Sequence, residues 1–165
     1  MNYTIPKNLL SKGTSNAKTS KNDQDTYILY LAPYNYHRIH MPFRGKLHSM
    51  RYIPGKLFSV NPKIVNYIPD VFAKNERIIA IFDTDVGFVA MVLVGAMIVG
   101  SIETKWAGSI TPNKQTDVLD WDYSKENIVF ERGMEIGNFK LGSTVILLFP
   151  ENAMNWDEGL QQILL

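Results

Sequence analysis

Apolar and polar residues alternate in short runs along most of the chain, and glycine or proline interrupts these runs. Such a pattern is typical of β-strands rather than of long helices. The predicted strands are Tyr27–Leu31, Gly45–Tyr52, Glu76–Asp83, Gly87–Leu93, Gly95–Thr104, Ile128–Phe130 and Ser143–Phe149. Helices are predicted at Asn61–Ile68, which ends before Pro69, and at Asn155–Leu165. We therefore expect a mainly β fold (a β-rich α+β domain), with an antiparallel sandwich-like core and a few short helices.

The segment Val86–Gly100 has no charged side chain over 15 residues. A membrane-spanning helix needs about 20 apolar residues, and Asp85 and Glu103 flank this run closely. Glycines also interrupt the run at intervals typical of strands. The segment is therefore predicted as two adjacent strands buried on both faces, and any membrane contact is expected to be peripheral.

Residues 1–25 are polar and rich in lysine, without a sustained apolar period. One short turn is expected at Ile5–Leu10, and the stretch lacks the apolar centre of a signal peptide. We predict a mobile polar leader over residues 1–25 and a folded domain over residues 26–165.

The composition and the distribution of charge narrow the function classes. The chain has 165 residues, 45% of them hydrophobic, with 17 Lys and Arg against 16 Asp and Glu, which suits a domain with a real core. The segment Thr26–Pro69 contains no Asp or Glu but carries six basic residues and all three histidines, whereas acids dominate from Asp117 onward. The basic segment suits a phosphate, a carboxylate or an anionic lipid surface, unless the two segments simply pair across the domain. No nucleic-acid-binding motif accompanies it, so nucleic acid is not an expected partner.

The absence of cysteine excludes several kinds of chemistry. A disulfide scaffold, a thiolate zinc site, an iron–sulfur cluster and a cysteine nucleophile all require thiols. Covalent catalysis would therefore depend on Ser, Thr, Lys, Asp, Glu, Tyr, His or a cofactor.

Two histidines, His37 and His40, lie three residues apart in the basic segment, just before Pro42. Their basic surroundings disfavour the protonated imidazole, so neutral rings that can accept a proton are expected. The extended or turn geometry before proline would direct the two rings to different partners. A metal site would need a third ligand, and His48 is the only other histidine. A purely structural role for both rings is the alternative.

The pair Gly142–Ser143 stands at the entry of a very apolar predicted strand. Such a pair is most often a tight turn, and it is not a nucleophile elbow, which has glycines on both sides of the serine. A serine after glycine in a strained turn can instead attack the preceding carbonyl and form an ester by an N→O acyl shift. Gly142 suits this reaction because glycine leaves the carbonyl unobstructed and tolerates distorted dihedral angles.

Several longer motifs follow one another in a fixed order. They are YHRIHMP, G-x-LFSVNP, FAKNER, DTDVGFVAMVLVGAMIVGSIET, WAG-x-ITP and ERGMEIGNFKLGSTV. In this order, from about Tyr27 to Pro150, they closely resemble the phosphatidylserine decarboxylase family.

The resemblance implies that the protein makes its own cofactor. Ser143, in the L-G-S-T motif, would attack the Gly142 carbonyl, and β-elimination from the ester would follow. The chain would split into a β piece ending at Gly142 and an α piece that begins with a covalent pyruvoyl group. That group would form a Schiff base with the amine of phosphatidylserine, and loss of CO2 would yield phosphatidylethanolamine.

The resemblance also implies roles for the basic segment. His40 would belong to an Asp–His–Ser relay that activates Ser143, and His37 would act in decarboxylation and reprotonation. We further expect Arg38 to attract the anionic headgroup. The expected partner is a membrane surface containing phosphatidylserine, contacted peripherally, on the cytoplasmic face of the inner membrane if the protein is bacterial.

The sequence departs from the family pattern in three places. The relay aspartate of an upstream P-V-D-G segment has no counterpart in residues 1–25, and Asn35 stands where an acid is common. The chain also ends at Leu165, where family members continue into another strand. We therefore expect the C-terminal part of a decarboxylase, truncated at both ends or joined to an unrelated leader, with slow or absent self-cleavage in isolation.

These departures leave alternatives open. One is an uncleaved, non-catalytic form of the same fold that binds acidic lipid. Another is a decarboxylase for a related serine lipid, such as archaetidylserine. The last is metal binding through His37 and His40. A second copy of the chain, in a homo-oligomer, is one way of completing the sheet.

Overall fold

The computed structural model describes residues 19–20, 24–97, 101–110, 116–140, 142–151 and 153. Its strands are β1 (Thr19–Ser20), β2 (Gln24–Leu31), β3 (Arg38–His40), β4 (Gly45–Ile53), β5 (Arg77–Thr84), β6 (Gly87–Gly95), β7 (Ile102–Thr104), β8 (Gly108–Ser109), β9 (Leu119–Asp122), β10 (Val129–Phe130), β11 (Glu135–Phe139) and β12 (Ser143–Pro150). Two short helices, α1 (Pro62–Tyr67) and α2 (Val71–Lys74), lie between β4 and β5. The prediction of a mainly β fold with few helices is confirmed.

The strands form two antiparallel sheets. The larger sheet has the order β1-β2-β12-β6-β5-β4-β10, and β9 also pairs with β4. The smaller sheet has the order β3-β11-β7-β8. Because β12 pairs with β2 on one side and β6 on the other, the predicted apolar strand is central in the larger sheet.

The core lies between the two sheets. Met91 and Val145 of the larger sheet belong to the same buried cluster as Ile39 and Ile136 of the smaller sheet. This arrangement is the predicted sandwich-like core. The helices cover the opposite face of the larger sheet. A second buried cluster forms there between side chains of the helices and side chains of this sheet. Its members include Val65, Phe72, Ile79, Val92 and Ile146.

The predicted helix at Asn61–Ile68 is confirmed, and its ends follow from the local sequence. The Asn61 side chain accepts a hydrogen bond from the Ile64 amide at 2.8 Å and so caps α1. Pro62 occupies the first turn, where its missing N–H has no cost. The helix stops at Tyr67, just ahead of Pro69.

The uncharged segment 86–100 is only partly as predicted. Strand β6 is buried on both faces, because Val89, Met91 and Leu93 face one cluster and Val92 and Val94 the other. The predicted strand Gly95–Thr104 is wrong as one continuous strand, since Gly95 ends β6, Ala96, Met97 and Ser101 are not in a strand, and Ile102–Thr104 forms β7. Residues 98–100 lie outside the described residues. The chain leaves the larger sheet after Gly95 and enters the smaller one at β7, which a single straight strand could not do. Within the described residues, no helix has the length and apolarity that crossing a membrane requires.

Strands β3, β8 and β11 of the smaller sheet and strand β9 of the larger sheet were not predicted from the sequence. In β9 half-buried and exposed residues alternate, so its apolar signal is weak. Strand β3 is only three residues long, with Ile39 buried between two exposed residues. The predicted helix Asn155–Leu165 and the turn at Ile5–Leu10 lie outside the described residues. Most of the predicted leader does too, and its described parts are β1 and the start of β2, Gln24–Asp25.

Candidate active site

Ser143 begins the central strand β12 and is fully buried. It lies opposite Leu31 on one side and Gly95 on the other. Its hydroxyl has no hydrogen-bond partner among the described residues. A buried hydroxyl without a partner is destabilising by about 1–3 kcal/mol. The hydroxyls of Thr26 and Thr144 are buried and unpartnered as well, so the position of Ser143 directly after Gly142 is what distinguishes it.

Gly142 places the peptide bond before Ser143 in an unusual conformation. Its φ is +37°, in the left-handed region that favours glycine. A Cβ atom added here would meet only the Cγ atom of Pro33, at 3.7 Å. Backbone conformation, rather than crowding, is therefore the reason for glycine at this position.

Side chains alternate along β12, which decides the surroundings of Ser143. Ser143 shares its face with Val145 and Leu147, and both of these pack in the cluster between the sheets. Thr144 and Ile146 point to the opposite face, toward the helices. The Ser143 hydroxyl is therefore directed into the sandwich.

His37 is held by a turn built around Asn35. The Asn35 side chain accepts a hydrogen bond from the Ala32 amide at 2.8 Å, and the Asn35 amide donates to the Ala32 carbonyl at 2.8 Å. The Nδ1 atom of His37 lies 2.6 Å from the Asn35 carbonyl oxygen, which can only accept. Nδ1 therefore carries a proton, and Nε2 of the neutral ring is the atom that can accept one. This Nε2 is buried and has no partner among the described residues.

The His40 ring is bound at both nitrogens. Nδ1 donates to the Gly133 carbonyl at 2.9 Å, so Nε2 of the neutral ring accepts from the Tyr36 hydroxyl at 2.8 Å. The Tyr36 and His40 rings are also stacked, with their centroids 5.7 Å apart. His40 is thus a well-oriented ring whose neutral form is fully hydrogen-bonded without Ser143.

Arg38 forms an ion pair with Glu135 on the neighbouring strand β11. Its Nη1 atom lies 2.8 and 2.7 Å from the two carboxylate oxygens of Glu135, and Lys105 Nζ reaches the same carboxylate at 3.0 Å. Hydrogen bonds from Lys105 and then Arg38 hold the pKa of Glu135 below its ordinary value. Two cations share one carboxylate, so this trio carries a net positive charge.

The structure brings Arg38 and His40, but not the whole predicted site, into one cavity. Both residues line an open cavity of about 170 Å³ together with Val145 and Leu147 of β12. No hydrogen bond joins His37 or His40 to Ser143 in the part of the chain that the structure describes. The roles assigned to these two histidines stay predictions.

Tyr36, Gly133, Glu135 and Lys105 take part in the site but were not predicted from the sequence. Tyr36 lies inside the YHRIHMP motif, but the motif does not indicate that its hydroxyl reaches His40. Gly133 and Glu135 are more than 90 residues from the histidine and arginine that they bind. Only the pairing of β3 with β11 brings them there, as it sets His40 opposite Glu135.

The third histidine lies elsewhere. His48 is on β4, with its ring centroid 5.0 Å from that of Phe88. Among the described residues, no three His, Asp or Glu side chains gather closely enough to hold a metal ion.

Comparison with known proteins places this chain in a family. A family model described as phosphatidylserine decarboxylase matches residues 2–162. The chain belongs to the phosphatidylserine decarboxylase family. It is 57% identical over 133 residues to the phosphatidylserine decarboxylase proenzyme of Psychromonas ingrahamii, which covers 81% of this chain and 46% of that protein.

Other relatives in the phosphatidylserine decarboxylase family give the same picture. The proenzyme of Coxiella burnetii (strain Dugway) is 53% identical over 139 residues, 84% of this chain and 49% of the relative. That of Shewanella pealeana is 54% identical over 134 residues, 79% of this chain and 47% of the relative. The chain therefore spans about half the length of the curated relatives it matches.

Proposed function

We propose that this chain supplies the self-cleaving serine and the two histidines of a phosphatidylserine decarboxylase, which converts phosphatidylserine to phosphatidylethanolamine and CO2. The observation that carries the proposal is the Ser143 hydroxyl, buried without a partner directly after a glycine in the left-handed region. Membership of the decarboxylase family supports it.

The first step is self-processing. Ser143 Oγ attacks the carbonyl carbon of Gly142, the peptide bond to Ser143 breaks, and an ester with a free amine replaces it. His40 takes the hydroxyl proton, and to do so its Nε2 must release the bond from Tyr36. Loss of the Ser143 Cα proton and of the Gly142 carboxylate then separates the chain, and hydrolysis of the remaining enamine releases ammonia.

The residues present fit a pyruvoyl group derived from Ser143. The unpartnered hydroxyl marks a polar position inside the sandwich, and β12 would hold the new terminus in the centre of the larger sheet. Such a group supplies an electron sink for breaking the bond between the substrate Cα and its carboxylate. His37 keeps its Nδ1 proton on the Asn35 carbonyl, so Nε2 is the atom that moves a proton at the substrate Cα.

The proposed partner is a membrane surface that contains phosphatidylserine. Tyr34 and Tyr36, in the turn before β3, are 88% and 63% exposed. Tyrosine is enriched at membrane interfaces, and the positive trio of Arg38, Lys105 and Glu135 suits an anionic surface. The corresponding location is the membrane surface, contacted peripherally, and its cytoplasmic face at the inner membrane if the protein is bacterial.

The mass of the purified chain tests the proposal. The intact chain is 18.8 kDa, and cleavage between Gly142 and Ser143 would leave two pieces, the second with a blocked N-terminus. No hydrogen bond joins His40 to Ser143 among the described residues, so we expect slow conversion, and hydroxylamine is added to capture the ester. The Ser143→Ala variant must stay intact under the same conditions.

The outcomes separate the candidate functions. Cleavage of the parent chain at Gly142, absent in the variant, together with CO2 release from phosphatidylserine vesicles, is the expected result. If hydroxylamine never cleaves the parent chain, the remaining candidate function is that of an uncleaved, non-catalytic form that binds acidic lipid. Cleavage that persists in Ser143→Ala would refute the role of Ser143.

A further inference from the structure

The hydroxyl of Tyr36 occupies the nitrogen of His40 that the proposed self-processing needs. The Nδ1 atom of His40 lies 2.9 Å from the Gly133 carbonyl oxygen, which can only accept, so Nδ1 carries the proton of the neutral ring. Nε2 is then the only acceptor on that ring, and the Tyr36 hydroxyl donates to it at 2.8 Å. While this hydrogen bond exists, Nε2 cannot accept a proton from Ser143.

The ring of Tyr36 and its hydroxyl make separate contacts with His40. The two rings are stacked, with their centroids 5.7 Å apart and their planes inclined by 17°. Stacking of this kind stabilises the orientation of both rings without using Nε2. A phenylalanine at position 36 would keep the stacking and lack only the donor. The block on Nε2 can therefore be separated from the orientation of the ring.

The hydrogen bond between Tyr36 and His40 can open without disturbing the core. Tyr36 is 63% exposed, and it belongs to neither of the two buried clusters. His40 is also exposed, on the three-residue strand β3. Water can replace both partners when the bond opens, so the net strength of the bond corresponds to only about a two- to tenfold shift in the equilibrium. The hydroxyl therefore restrains His40 reversibly rather than disabling it.

His40 shares a cavity with the strand that carries Ser143. Val145 of β12 and His40 line the same open cavity, and Ser143 lies on the same face of β12 as Val145. The Ser143 hydroxyl has no hydrogen-bond partner among the described residues, so its proton is not engaged elsewhere. Ser143 thus offers a donor on the side of the sheet where His40 offers an acceptor, and Tyr36 already occupies that acceptor.

We propose that Tyr36 is a positioning residue that restrains self-processing, because its hydroxyl holds Nε2 of His40 until the Ser143 hydroxyl replaces it as donor. The proposal rests on the proposed function, since it concerns the same proton transfer. In that step the Ser143 proton passes to Nε2 while Oγ bonds to the Gly142 carbonyl carbon. Nε2 then returns the proton to the Ser143 nitrogen as the peptide bond breaks. The tyrosine hydroxyl competes only with the first of these two transfers.

Chemical modification of His40 tests the contact directly. Diethyl pyrocarbonate acylates the unprotonated nitrogen of a neutral imidazole, and peptide mass spectrometry gives the rate for each histidine. The full chain carrying Ser143→Ala is used, so that processing does not interfere. In this chain Tyr36→Phe should raise the rate at His40 about two- to tenfold, because Nε2 loses its donor. His48, whose ring lies against Phe88 on a different strand, is the internal reference and should react at an unchanged rate.

Tyr34→Phe is the matched control. Tyr34 lies just before Tyr36 in the same turn and is 88% exposed, and among the described residues no hydrogen bond joins it to a histidine. Loss of its hydroxyl should leave both the reactivity of His40 and the cleavage rate unchanged. In chains that keep Ser143, Tyr36→Phe should also raise the rate of hydroxylamine-captured cleavage after Gly142 about two- to tenfold, measured by mass.

The two measurements separate the outcomes. Faster modification of His40 together with faster cleavage in Tyr36→Phe is the expected result. An unchanged modification rate would overturn the proposal, whatever the cleavage rate. Faster modification with measurable cleavage that is no faster than in the parent would overturn it as well, since the hydroxyl would then not restrain processing. If His40 becomes more reactive but neither the parent nor Tyr36→Phe ever cleaves, the hold of Tyr36 on Nε2 is confirmed and the proposed self-processing is refuted.

Discussion

Ser143 lies directly opposite Gly95 in the β6–β12 ladder, and Gly95 is held on its other side by the Asn75–Glu76 pair. The Gly95 amide donates to the Glu76 carbonyl at 2.9 Å, and the Asn75 side chain donates to the Gly95 carbonyl at 2.9 Å. A buried amide thus replaces backbone pairing where β6 ends. The FAKNER motif supports the strand beside the candidate catalytic serine.

We expect Asn75→Ala to destabilise the fold by about 3 kcal/mol. The Asn75 side chain also bonds the Phe58 amide and carbonyl, at 3.0 and 2.8 Å, so the variant leaves three backbone groups without their partner. Urea unfolding measures the change. Asn61→Ala, which removes one capping bond, should cost about 1 kcal/mol. If Asn75→Ala lowers the free energy of unfolding by no more than Asn61→Ala does, Asn75 does not support the end of β6 as proposed.

Gly142→Ala should lower stability by about 1–2 kcal/mol, because the Cβ atom of alanine makes the left-handed conformation sterically unfavourable. It should also slow cleavage after residue 142, measured by mass. Gly108→Ala is a matched control, because Gly108 has a φ of +69° and open space around it. Both variants should lose similar stability, but only Gly142→Ala should change cleavage. Equal cleavage in the two variants would show that the Gly142 conformation does not serve processing.

Tyr52→Phe should destabilise the protein by about 2 kcal/mol at neutral pH, because the buried Glu76 carboxyl loses its 2.6 Å bond from the tyrosine hydroxyl. Burial, followed by the contact with Glu76, raises the pKa of Tyr52 above its ordinary 10.0. The contribution of this hydroxyl is therefore fully present below about pH 10 and declines above it, as the unfolded tyrosine ionises first. Thermal unfolding from pH 7 to 11 should show the difference between parent and variant shrinking. Tyr67→Phe, at an exposed position, should show no difference at any pH.

Glu135→Gln should reduce stability at pH 7, and the reduction should become smaller as the pH falls below 4.5. The lowered pKa of Glu135 means that its contribution is fully present above its ordinary value of 4.5 and is lost as the pH falls through the lower folded-state value. Unfolding midpoints at pH 7 and pH 3 measure this. Glu131→Gln is the comparison, because its pair with Arg44 is exposed on both sides and screened by solvent. If the two substitutions reduce stability equally at pH 7, the carboxylate that Glu135 shares between two cations stabilises the fold no more than the exposed Glu131–Arg44 pair does.

The apolar strands could be predicted because their pattern is local. Strands β5, β6 and β12 are nearly continuous apolar runs, since the larger sheet is covered on both faces. The short strand β3 carried no such signal, and its register depends on β11, whose paired residues lie 95 to 100 positions further along the chain. The same difference holds for the candidate site. The sequence motifs predicted Ser143, His37 and His40. Their partners Tyr36, Gly133 and Glu135 could be identified only from the folded chain.

The sequence by itself determined the mainly β class, the strand that begins at Ser143, the glycine before it, and membership of the decarboxylase family. These features depend on the period of the apolar side chains, the conformational freedom of glycine and the order of the motifs, all of which can be read directly from the linear sequence. The tertiary structure alone decided that His40 is bound by Gly133 and Tyr36, that Arg38 and Lys105 share Glu135, and that Arg38 and His40 line one cavity with Val145 of β12. These relationships depend on which strands pair and in which register, and that choice is made by the burial of the whole core rather than by any one segment.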